Sequence, residues 1–508
     1  MSSDGYLFSS DPAVRSRDYQ GLILLITLLV GLLMMMVVAS GLLREILVLM
    51  VGIVGAVAVW RWPALAAAFL VAFTPVNRFV IFLGFYFVPN QMVLQGTQLW
   101  KDAIILVLLA RILHEALERK KAPTVYLLDI IAASFLLLNL VYLFYPGTLE
   151  NNDLIGRMLG FRLDAYFVFG YFVGRGLNLN KRQLQWIMMG IIPGSIAVAL
   201  VAAWQWVFPG WANNLWNTLG YQSFVDAVNG SSDIAVRTRD LGGMSIPRSS
   251  SLLMGDLALA FHQLLLVPLA AAFLIAQRNK TTLGWQVLAG GFLALMLATM
   301  AFSGARSAIV AIPVSLVVIA VWSRSWGYTI AGGALILPLL AAFLIILSST
   351  STGNFFSSLF STQEGSTVAH ADAMERGLQI IEDEPLGRGL GTSHTVGYQR
   401  GTETRLATES WYLQIGVETG VLGMALYSLL IIGATLAALL AYHRVKDPWL
   451  RALTLGVGGA GVGFFLVGLV LHVWEAPVIA AVFWVLAGLA ARAPQFEEQW
   501  AAEEEAAT

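Results

Sequence analysis

Long apolar runs follow one another along most of this chain, and they limit the folds open to it. A helix of about 20 apolar residues crosses a hydrocarbon core of ~30 Å. Hydrophobic residues make up 58% of the sequence and charged residues 12%, and that charged share is about half of what a soluble domain carries. The runs are continuous rather than alternating, which excludes a transmembrane β-barrel. The sequence therefore predicts an all-α integral membrane protein.

The apolar runs predict about 12–14 transmembrane helices. Gly84 and Pro89 interrupt the region 79–98, so the number of spans between residues 63 and 117 stays open. The run at 21–40 is too long for the apolar core of a signal peptide and lacks a small-residue cleavage site, so we expect an uncleaved first span. The spans are expected at residues 21–40, 43–60, 63–82, 99–117, 126–145, 161–178, 184–208, 251–276, 284–302, 307–323, 327–347, 413–441, 450–472 and 475–492.

Lysine and arginine in the short loops predict the orientation, because cytoplasmic loops carry an excess of both. The clusters around Arg111, Arg175, Arg278 and Arg444 fall on one side of the predicted bundle, which we expect to be cytoplasmic.

The acidic tail is expected to be disordered and solvated. The predicted division of the chain is a cytoplasmic segment at 1–20, transmembrane helices at 21–347 with an outer loop near 209–250, a large extracytoplasmic loop at 348–412, transmembrane helices at 413–492 and a cytoplasmic tail at 493–508.

The basic residues expected on the outer side are nearly all arginine, whereas most lysines fall on the cytoplasmic side. A guanidinium group binds phosphate or carboxylate through two parallel hydrogen bonds, so outer arginines suit an anionic ligand. The chain as a whole is also rich in arginine, which explains part of this excess without any ligand. The absence of cysteine from the sequence excludes disulfides, thiolate catalysis and cysteine metal sites.

A polar segment at 369–423 interrupts the apolar C-terminal half, and functional residues are most expected there. Apolar residues recur at its start with spacings of three and four, which predicts an amphipathic helix lying on the membrane-embedded body and ending at Pro385. The glycines around Arg388 are expected to form a flexible turn, since a nucleotide-binding loop needs a preceding strand and a following helix. Arg388 itself is a candidate for ligand contact. The apolar stripe consists of Val368, Ala371, Met374, Leu378 and Ile381.

Glu409 stands just before the next apolar run. Helical spacing places it on a face with several small residues, and small residues on a membrane helix indicate close packing against another helix. Glu409 is therefore expected to point into the protein at the membrane boundary, with Arg405 one turn earlier as its partner. The alternative is that Glu409 only stabilises the start of the helix through the helix dipole. The other residues on this face are Leu413, Gly416, Gly420 and Gly423.

Several short motifs, taken in order, resemble the O-antigen ligase and O-antigen polymerase superfamily. The resemblance covers residues 160 to 440, and the order and spacing of the motifs carry it. The motifs are Gly160-Phe161-Arg162, Phe302-Ser303-Gly304-Ala305-Arg306-Ser307-Ala308, Pro385-Leu386-Gly387-Arg388-Gly389-Leu390-Gly391, Glu409-Ser410-Trp411-Tyr412-Leu413-Gln414 and Glu418-Thr419-Gly420-Val421-Leu422-Gly423.

The resemblance implies a glycosyltransferase with a GT-C-like fold that needs no metal or other cofactor. Its donor would be a glycan on undecaprenyl diphosphate, at the outer face of the bacterial inner membrane. An acceptor hydroxyl attacks the anomeric carbon, the lipid diphosphate leaves and the configuration inverts. The protein must then neutralise the growing charge of the diphosphate and remove one proton from the acceptor.

The expected site residues follow from these two tasks. Glu409 is the expected proton acceptor, with His394 and His370 as reserves. Asp256 and His262 are possible partners for Arg248. The arginines expected to contact the diphosphate or the sugars are Arg162, Arg248, Arg306, Arg376, Arg388 and Arg405.

Two departures from the family pattern bear on the acceptor. Ligases carry His-Asn where this chain has Glu409-Ser410, and many members carry Arg near the start of the amphipathic helix, where this chain has His370. The first departure favours a polymerase of O-antigen or exopolysaccharide units, whose acceptor is another lipid-linked repeat unit. An O-antigen ligase and a protein O-oligosaccharyltransferase remain alternatives. Besides the lipid bilayer, a chain-length regulator or another polysaccharide assembly protein is a possible partner, and no nucleic acid is expected.

The rival class is a transporter, in particular a flippase for lipid-linked oligosaccharides. A flippase needs charged residues deep in its helices to carry an anionic headgroup. Here the middles of the predicted spans are nearly free of charge, and polar residues collect in the two outer loops. This distribution favours chemistry on one side of the membrane. No cluster of histidine and acidic residues has metal-ligand spacing, so no metal site is expected.

Overall fold

The computed structural model describes residues 43–89, 91–119, 124–144, 154–229, 235–241, 244–277, 282–324, 365–393 and 408–507. These residues are almost wholly helical. In chain order the helices are α1 (Leu43–Arg61), α2 (Pro63–Phe73), α3 (Asn77–Phe87), α4 (Gln91–Gln98), α5 (Trp100–Arg119), α6 (Leu127–Phe144), α7 (Leu154–Asp164), α8 (Phe169–Gly176), α9 (Lys181–Val207), α10 (Pro209–Thr218), α11 (Tyr221–Asn229), α12 (Asp256–Gln277), α13 (Leu283–Ser303), α14 (Arg306–Ser323), α15 (Gly365–Asp383), α16 (Trp411–Tyr442), α17 (Pro448–Gly468), α18 (Pro477–Ala491) and α19 (Ala493–Ala507).

Eight helical stretches among the described residues are long and apolar enough to cross a membrane, or nine if the bent pair formed by α18 and α19 counts as one span. Each of the eight overlaps one predicted span. The chain is therefore a multi-pass, all-α membrane protein, as the apolar runs predicted. The eight stretches are Pro63–Phe87, Leu127–Phe144, Lys181–Val207, Asp256–Gln277, Leu283–Ser303, Arg306–Ser323, Trp411–Tyr442 and Pro448–Gly468.

The remaining predicted spans have different outcomes. Those at 21–40 and 327–347 lie outside the described residues. The single helix expected at 161–178 is wrong, because the 3-10 turn Tyr166–Val168 separates α7 from α8. Aromatic and β-branched residues fill this turn, and such residues lose side-chain freedom in a helix. The break leaves Asp164 at the end of α7.

Basic residues of the short loops gather at one end of the bundle. Arg175 pairs with Asp129 at 3.2 Å, and Lys181 pairs with Asp447 at 2.6 Å. Arg492 donates a hydrogen bond to the main-chain oxygen of Arg175 at 3.2 Å. All three basic residues were expected on the cytoplasmic side, so the structure brings together residues that the loop charges had grouped.

Helix α17 runs through the centre of the bundle, where most of its residues are buried. Its glycines allow neighbouring helices to come close. A side chain at Gly456 would lie 2.7 Å from Leu269 on α12, and one at Gly459 would lie 2.5 Å from Ile319 on α14. Small residues are the usual means by which membrane helices pack closely. This seam fixes the helices α12 and α14, whose first turns carry functional candidates.

Helix α19 corrects the expectation of a disordered acidic tail. Ala493, Phe496 and Trp500 recur at spacings of three and four and are buried, which is the pattern of an amphipathic helix. The indole N–H of Trp500 donates to the main-chain oxygen of Leu179 at 2.8 Å. The acidic residues lie mostly on the exposed face, so their charge does not prevent the helix from docking.

A β-hairpin, which the sequence did not predict, lies in the expected outer loop near 209–250. Strands β1 (Arg237–Leu241) and β2 (Met244–Arg248) are antiparallel, with Arg237 opposite Arg248. The chain then docks on the end of α13, where the N–H of Ser249 donates to the oxygen of Phe302 at 2.9 Å. The hairpin thereby places Arg248 beside the turn between α13 and α14.

Candidate functional site

Helix α16 is broken at Gly420, whose φ of +73° and ψ of −175° are not helical. The break separates main-chain groups that an unbroken helix would pair, and the glycine-rich turn after α15 pairs with them instead. The N–H of Arg388 donates to the oxygen of Val417 at 2.7 Å. The N–H of Val421 donates to the oxygen of Pro385 at 3.0 Å. The turn is therefore built into the helix and is not the flexible segment that was expected.

Two glycines allow this contact between turn and helix. A side chain at Gly387 would lie 2.4 Å from the nitrogen of Gly420, and one at Gly420 would lie 2.3 Å from the oxygen of Pro385. Both glycines also have positive φ angles, which other residues adopt only at a cost. The expected packing of Gly420 against another membrane helix is thus wrong. Its neighbour is the turn.

Glu418 lies two residues before the break and is 1% exposed. The turn surrounds its carboxylate with hydrogen-bond donors. The N–H of Gly391 donates to Oε2 at 2.6 Å, while the N–H and the hydroxyl of Ser393 donate to Oε1 at 3.1 and 2.6 Å. Such donors offset the cost of removing a carboxylate from water. The side chain of Glu418 therefore holds residues 391 and 393 to α16.

Helix α7 closes the other side of the turn. A side chain at Gly160 would lie 2.3 Å from the nitrogen of Gly391, so the two backbones are in contact. At the end of α7, Oδ1 of Asp164 accepts a hydrogen bond from the amide of Gln414 at 3.0 Å. The carboxyl group of Glu418 is a close neighbour of that of Asp164. Helix α7, the turn and the first half of α16 thus form one polar, buried unit.

Arg162, on the last turn of α7, belongs to a cluster of cations. Its Nε and Nη2 donate to Oδ2 of Asp102 at 3.0 and 2.8 Å. Nζ of Lys101 lies 3.9 Å from the same oxygen, and Lys101 is 4% exposed. Arg78 is close enough to Lys101 to repel it electrostatically. Lys101 and Arg162 thus share Asp102 as their acid, and Arg78 adds positive charge close to Lys101, so the cluster has an excess of positive charge.

Arg248 contacts the turn between α13 and α14. Its Nη2 lies 2.8 Å from Oδ2 of Asp256, and its Nε donates to the oxygen of Ser303 at 3.2 Å. This confirms the expected pairing with Asp256. Gly304 follows with a φ of +65°, and a side chain there would lie 3.0 Å from Cγ of Arg248. Arg306, the first residue of α14, stands two residues beyond Gly304.

The two groups of cations are linked through the packing of helices. Helix α3, which begins just before Arg78, packs against the 3-10 turn Ser251–Leu253 that follows Arg248. That turn is held by Gln205 at the end of α9, whose side-chain oxygen accepts from the main-chain N–H of Ser251 at 2.7 Å. The cations therefore lie toward one end of the bundle, opposite the end where Arg175 and Arg492 meet.

The amphipathic helix predicted before Pro385 is confirmed as α15, which ends at Asp383. It packs on the start of α16, where Ile381 contacts Leu413 and Val417 in a small apolar cluster. Leu378 was expected in the apolar stripe but is 49% exposed, and Ala373 and Gly377 are buried in its place. The buried stripe is therefore shifted by about one residue from the predicted one.

The other expected residues on or near α15 have different environments. Arg376 is exposed on the outer face of the helix. Nη2 of Arg388 lies 2.8 Å from Oε1 of Glu384, and its Nε donates to the same atom at 3.0 Å. For His370 only the helical main chain is described. His394 and Arg405 lie outside the described residues, so their predicted roles stay predictions.

Glu409 precedes α16 and does not share the helical face expected of it, because the helix begins at Trp411 and Ser410 is its N-cap. The φ of Glu409 is +53°, a left-handed conformation that is uncommon for residues other than glycine. Its neighbours are fixed in place. The hydroxyl of Ser410 donates to the oxygen of Gly468 at 3.3 Å, and the hydroxyl of Thr408 lies 3.2 Å from Nε2 of His472. Glu409 itself is half-buried.

The sequence analysis did not identify three buried residues that stabilise this site. Glu418 was quoted within a motif but was not assigned a role, and neither Asp164 nor Lys101 was named as a site residue. Glu418 is an acid inside an apolar run, and that position is itself a signal because charge in a membrane helix is costly. Its partners at Gly391 and Ser393 are distant in sequence, so periodicity could not identify them.

No group of three or more histidine or acidic side chains that could hold a metal ion occurs in the described part of the chain. The chemistry available among these residues is of two kinds. The buried cations and the arginines paired with acids can hold an anionic group. The half-buried carboxylate of Glu409 can accept a proton.

Comparison with known proteins identifies a region that includes much of this site. No curated protein matches the chain. The model of the family described as O-antigen ligase matches residues 291–428, a region that begins within α13 and ends within α16. It contains Arg306, Arg388, Glu409 and Glu418. The resemblance seen in the sequence is thus confirmed over residues 291–428, where this membrane protein is similar to the O-antigen ligase family.

Proposed function

We propose that this chain is a glycosyltransferase that takes a glycan from undecaprenyl diphosphate and joins it to a further lipid-linked repeat unit. The observation that carries the proposal is the excess of cations around Asp102, where Lys101 is buried and Arg162 is partly buried. Lys101 and Arg162 both reach one oxygen of this acid. Positive charge held away from water is costly unless an anion balances it. A diphosphate leaving group is such an anion, and the family region supports an enzyme of this class.

The proposed reaction breaks the bond between the anomeric carbon and the diphosphate oxygen. The acceptor hydroxyl forms the new bond from the opposite face, so the configuration inverts. Negative charge grows on the diphosphate as it leaves, and fixed guanidinium and ammonium groups stabilise it. In this proposal Arg162, Arg248 and Arg306 supply the positive charge, which makes the reaction independent of a metal ion.

Glu409 is the proposed acceptor of the hydroxyl proton. Its left-handed main chain is the kind of strain that is often found at active sites. The fixed positions of Thr408 and Ser410 keep its backbone in place. Its side chain is half-buried, so a substrate hydroxyl can reach it. His370, on α15, and His394 are the alternative proton acceptors.

The pair Glu409-Ser410 supports a polymerase over a ligase. Members that act as ligases carry His-Asn at these positions. In this proposal the reaction takes place at the outer face of the bacterial inner membrane, and both termini of the protein lie in the cytoplasm. A chain-length regulator would be the partner that limits the product.

The test is a transfer assay with the full chain reconstituted in lipid nanodiscs and supplied with an undecaprenyl-diphosphate-linked repeat unit. Wild-type protein should produce a ladder of lipid-linked chains on a gel. Glu409→Gln should lower the rate by roughly 100-fold or more, since it removes the proposed base. Glu375→Gln changes an exposed carboxylate of α15 and should leave the rate unchanged.

Three results would count against this proposal. Full activity of Glu409→Gln would remove Glu409 from the chemistry. Chain transfer only to a lipid A core acceptor, with no lipid-linked ladder, would assign the protein as a ligase. Movement of the lipid-linked substrate across the bilayer without any new glycosidic bond would favour a flippase.

A further inference from the structure

The carboxyl groups of Asp164 and Glu418 are neighbours, and both are buried. Two carboxylates offer only acceptor oxygens, so they repel unless a proton lies between them. Glu475 is close enough to Asp164 to add further negative charge. A second full charge at this point would be costly in such surroundings.

The hydrogen-bond partners identify which group carries the proton. The carboxylate of Glu418 accepts three hydrogen bonds from Gly391 and Ser393. Asp164 accepts only one, from Gln414 to Oδ1, and its Oδ2 is buried without a hydrogen-bond donor in the structure. Because donors favour the ionised form, the charge belongs on Glu418 and the proton on Oδ2 of Asp164.

We propose that Asp164 and Glu418 share one proton and act as a positioning pair that fixes residues 389–393 against α7 and α16. The pair does not touch the reacting atoms. It fixes the point from which the chain leaves toward His394 and Arg405. This inference rests on the proposed function only where it concerns catalysis, because the shared proton and the fixed turn are properties of the chain itself.

The pair predicts an asymmetry between two conservative substitutions. Asp164→Asn places an amide N–H where the acid proton lies and keeps an oxygen for Gln414, so it should retain the geometry. Glu418→Gln instead turns an amide N–H toward the donors of Gly391 or Ser393, so hydrogen bonds must break. We expect Asp164→Asn to lower kcat of the transfer reaction by no more than about threefold, and Glu418→Gln to lower it by roughly 100-fold. Asp164→Ala, which leaves Glu418 without a donor on this side, should resemble Glu418→Gln.

Hydrogen exchange provides a measurement that does not depend on activity. The amides of residues 391 and 393 should be protected in wild-type protein and in Asp164→Asn, and should exchange at least about tenfold faster in Glu418→Gln. Ser393→Ala is the matched control, since it removes one of the three donors to Glu418 and leaves the main chain unchanged. It should speed exchange less than Glu418→Gln does.

Infrared spectroscopy tests the proton directly on the full-length protein in nanodiscs. Wild-type protein at neutral pH should show a carbonyl band of a protonated carboxyl group that Asp164→Asn lacks. Absence of this difference, or an Asp164→Asn variant as impaired as Asp164→Ala, would overturn the proposal. If the band and the exchange behave as expected while wild-type protein transfers no glycan, the positioning pair stands and the proposed function fails.

Discussion

Arg162 donates two hydrogen bonds to one oxygen of Asp102, from Nε at 3.0 Å and from Nη2 at 2.8 Å. Lys101 lies beside the same oxygen on the preceding residue of α5. Asp102 therefore orients two cations at once, and it does so at the end of α7 that adjoins the broken helix.

Two substitutions of Arg162 should distinguish the effect of its positive charge from the effect of its two hydrogen bonds to Asp102. Arg162→Lys keeps the positive charge but cannot make two hydrogen bonds to Asp102, so kcat/KM for lipid-linked substrate should fall about tenfold. Arg162→Ala should lower it by roughly 100-fold or more, because it removes a cation that we propose stabilises the diphosphate. The measurement is steady-state transfer by reconstituted protein.

Arg182 supplies a matched control for this pair of variants. It is an exposed arginine at the opposite end of the bundle, where its guanidinium lies over the ring of Trp186. Arg182→Ala should leave kcat/KM unchanged. Equal losses from Arg162→Ala and Arg182→Ala would point to a general effect of charge on folding or insertion.

The broken helix makes a prediction about stability. Gly420→Ala places a methyl group 2.3 Å from the oxygen of Pro385 on a backbone of positive φ, so it should lower the free energy of unfolding by about 3 kcal/mol or more. Thermal unfolding followed by tryptophan fluorescence would measure this loss. Gly290→Ala on α13 meets no atom within 4 Å, and it should be neutral or slightly stabilising. If both variants have the same free energy of unfolding, the close contact between Gly420 and the turn does not stabilise the protein.

The pair formed by Arg248 and Asp256 should show a measurable coupling. Their side chains are 19% and 10% exposed, so a double-mutant cycle with alanine should give a coupling free energy of about 2 kcal/mol. Arg111 and Glu115 form a more exposed pair four residues apart on α5, with side chains 25% and 30% exposed. That pair should give only about 0.5 kcal/mol. A coupling of the same small size at Arg248 would mean that Asp256 does not fix this arginine.

The transmembrane part of the fold could be predicted because each span is a local property of the sequence. All eight described spans follow apolar runs, and α15 follows a local period of three and four. The break between α7 and α8 was not seen, since residues 165–169 are as apolar as a membrane helix. The docking of α19 was hidden by its acidic residues, although Phe496 and Trp500 already had helical spacing.

The candidate site was predicted only where one residue lay near its partner in sequence. Asp256 was named for Arg248, eight positions away, and the structure confirms that pair. Glu418 was missed because its donors lie 25 and 27 positions earlier. Glu409 was predicted to lie on a helix because the helical spacing of the sequence continues through it. In the structure Ser410 caps α16, and Glu409 precedes the cap with a left-handed main chain. Contacts between segments that are distant in sequence determine these positions, and the periodicity of a single segment cannot predict such contacts.

Direct binding of the leaving group tests the central claim, that the cations around Asp102 hold a lipid diphosphate. Native mass spectrometry of the protein released from nanodiscs would count bound undecaprenyl diphosphate, with undecaprenol as the uncharged comparison. Wild-type protein should retain one diphosphate lipid, Arg162→Ala should bind it at least about tenfold more weakly, and undecaprenol should not be retained by either. Equal retention of the diphosphate lipid by wild-type protein and Arg162→Ala would contradict the account.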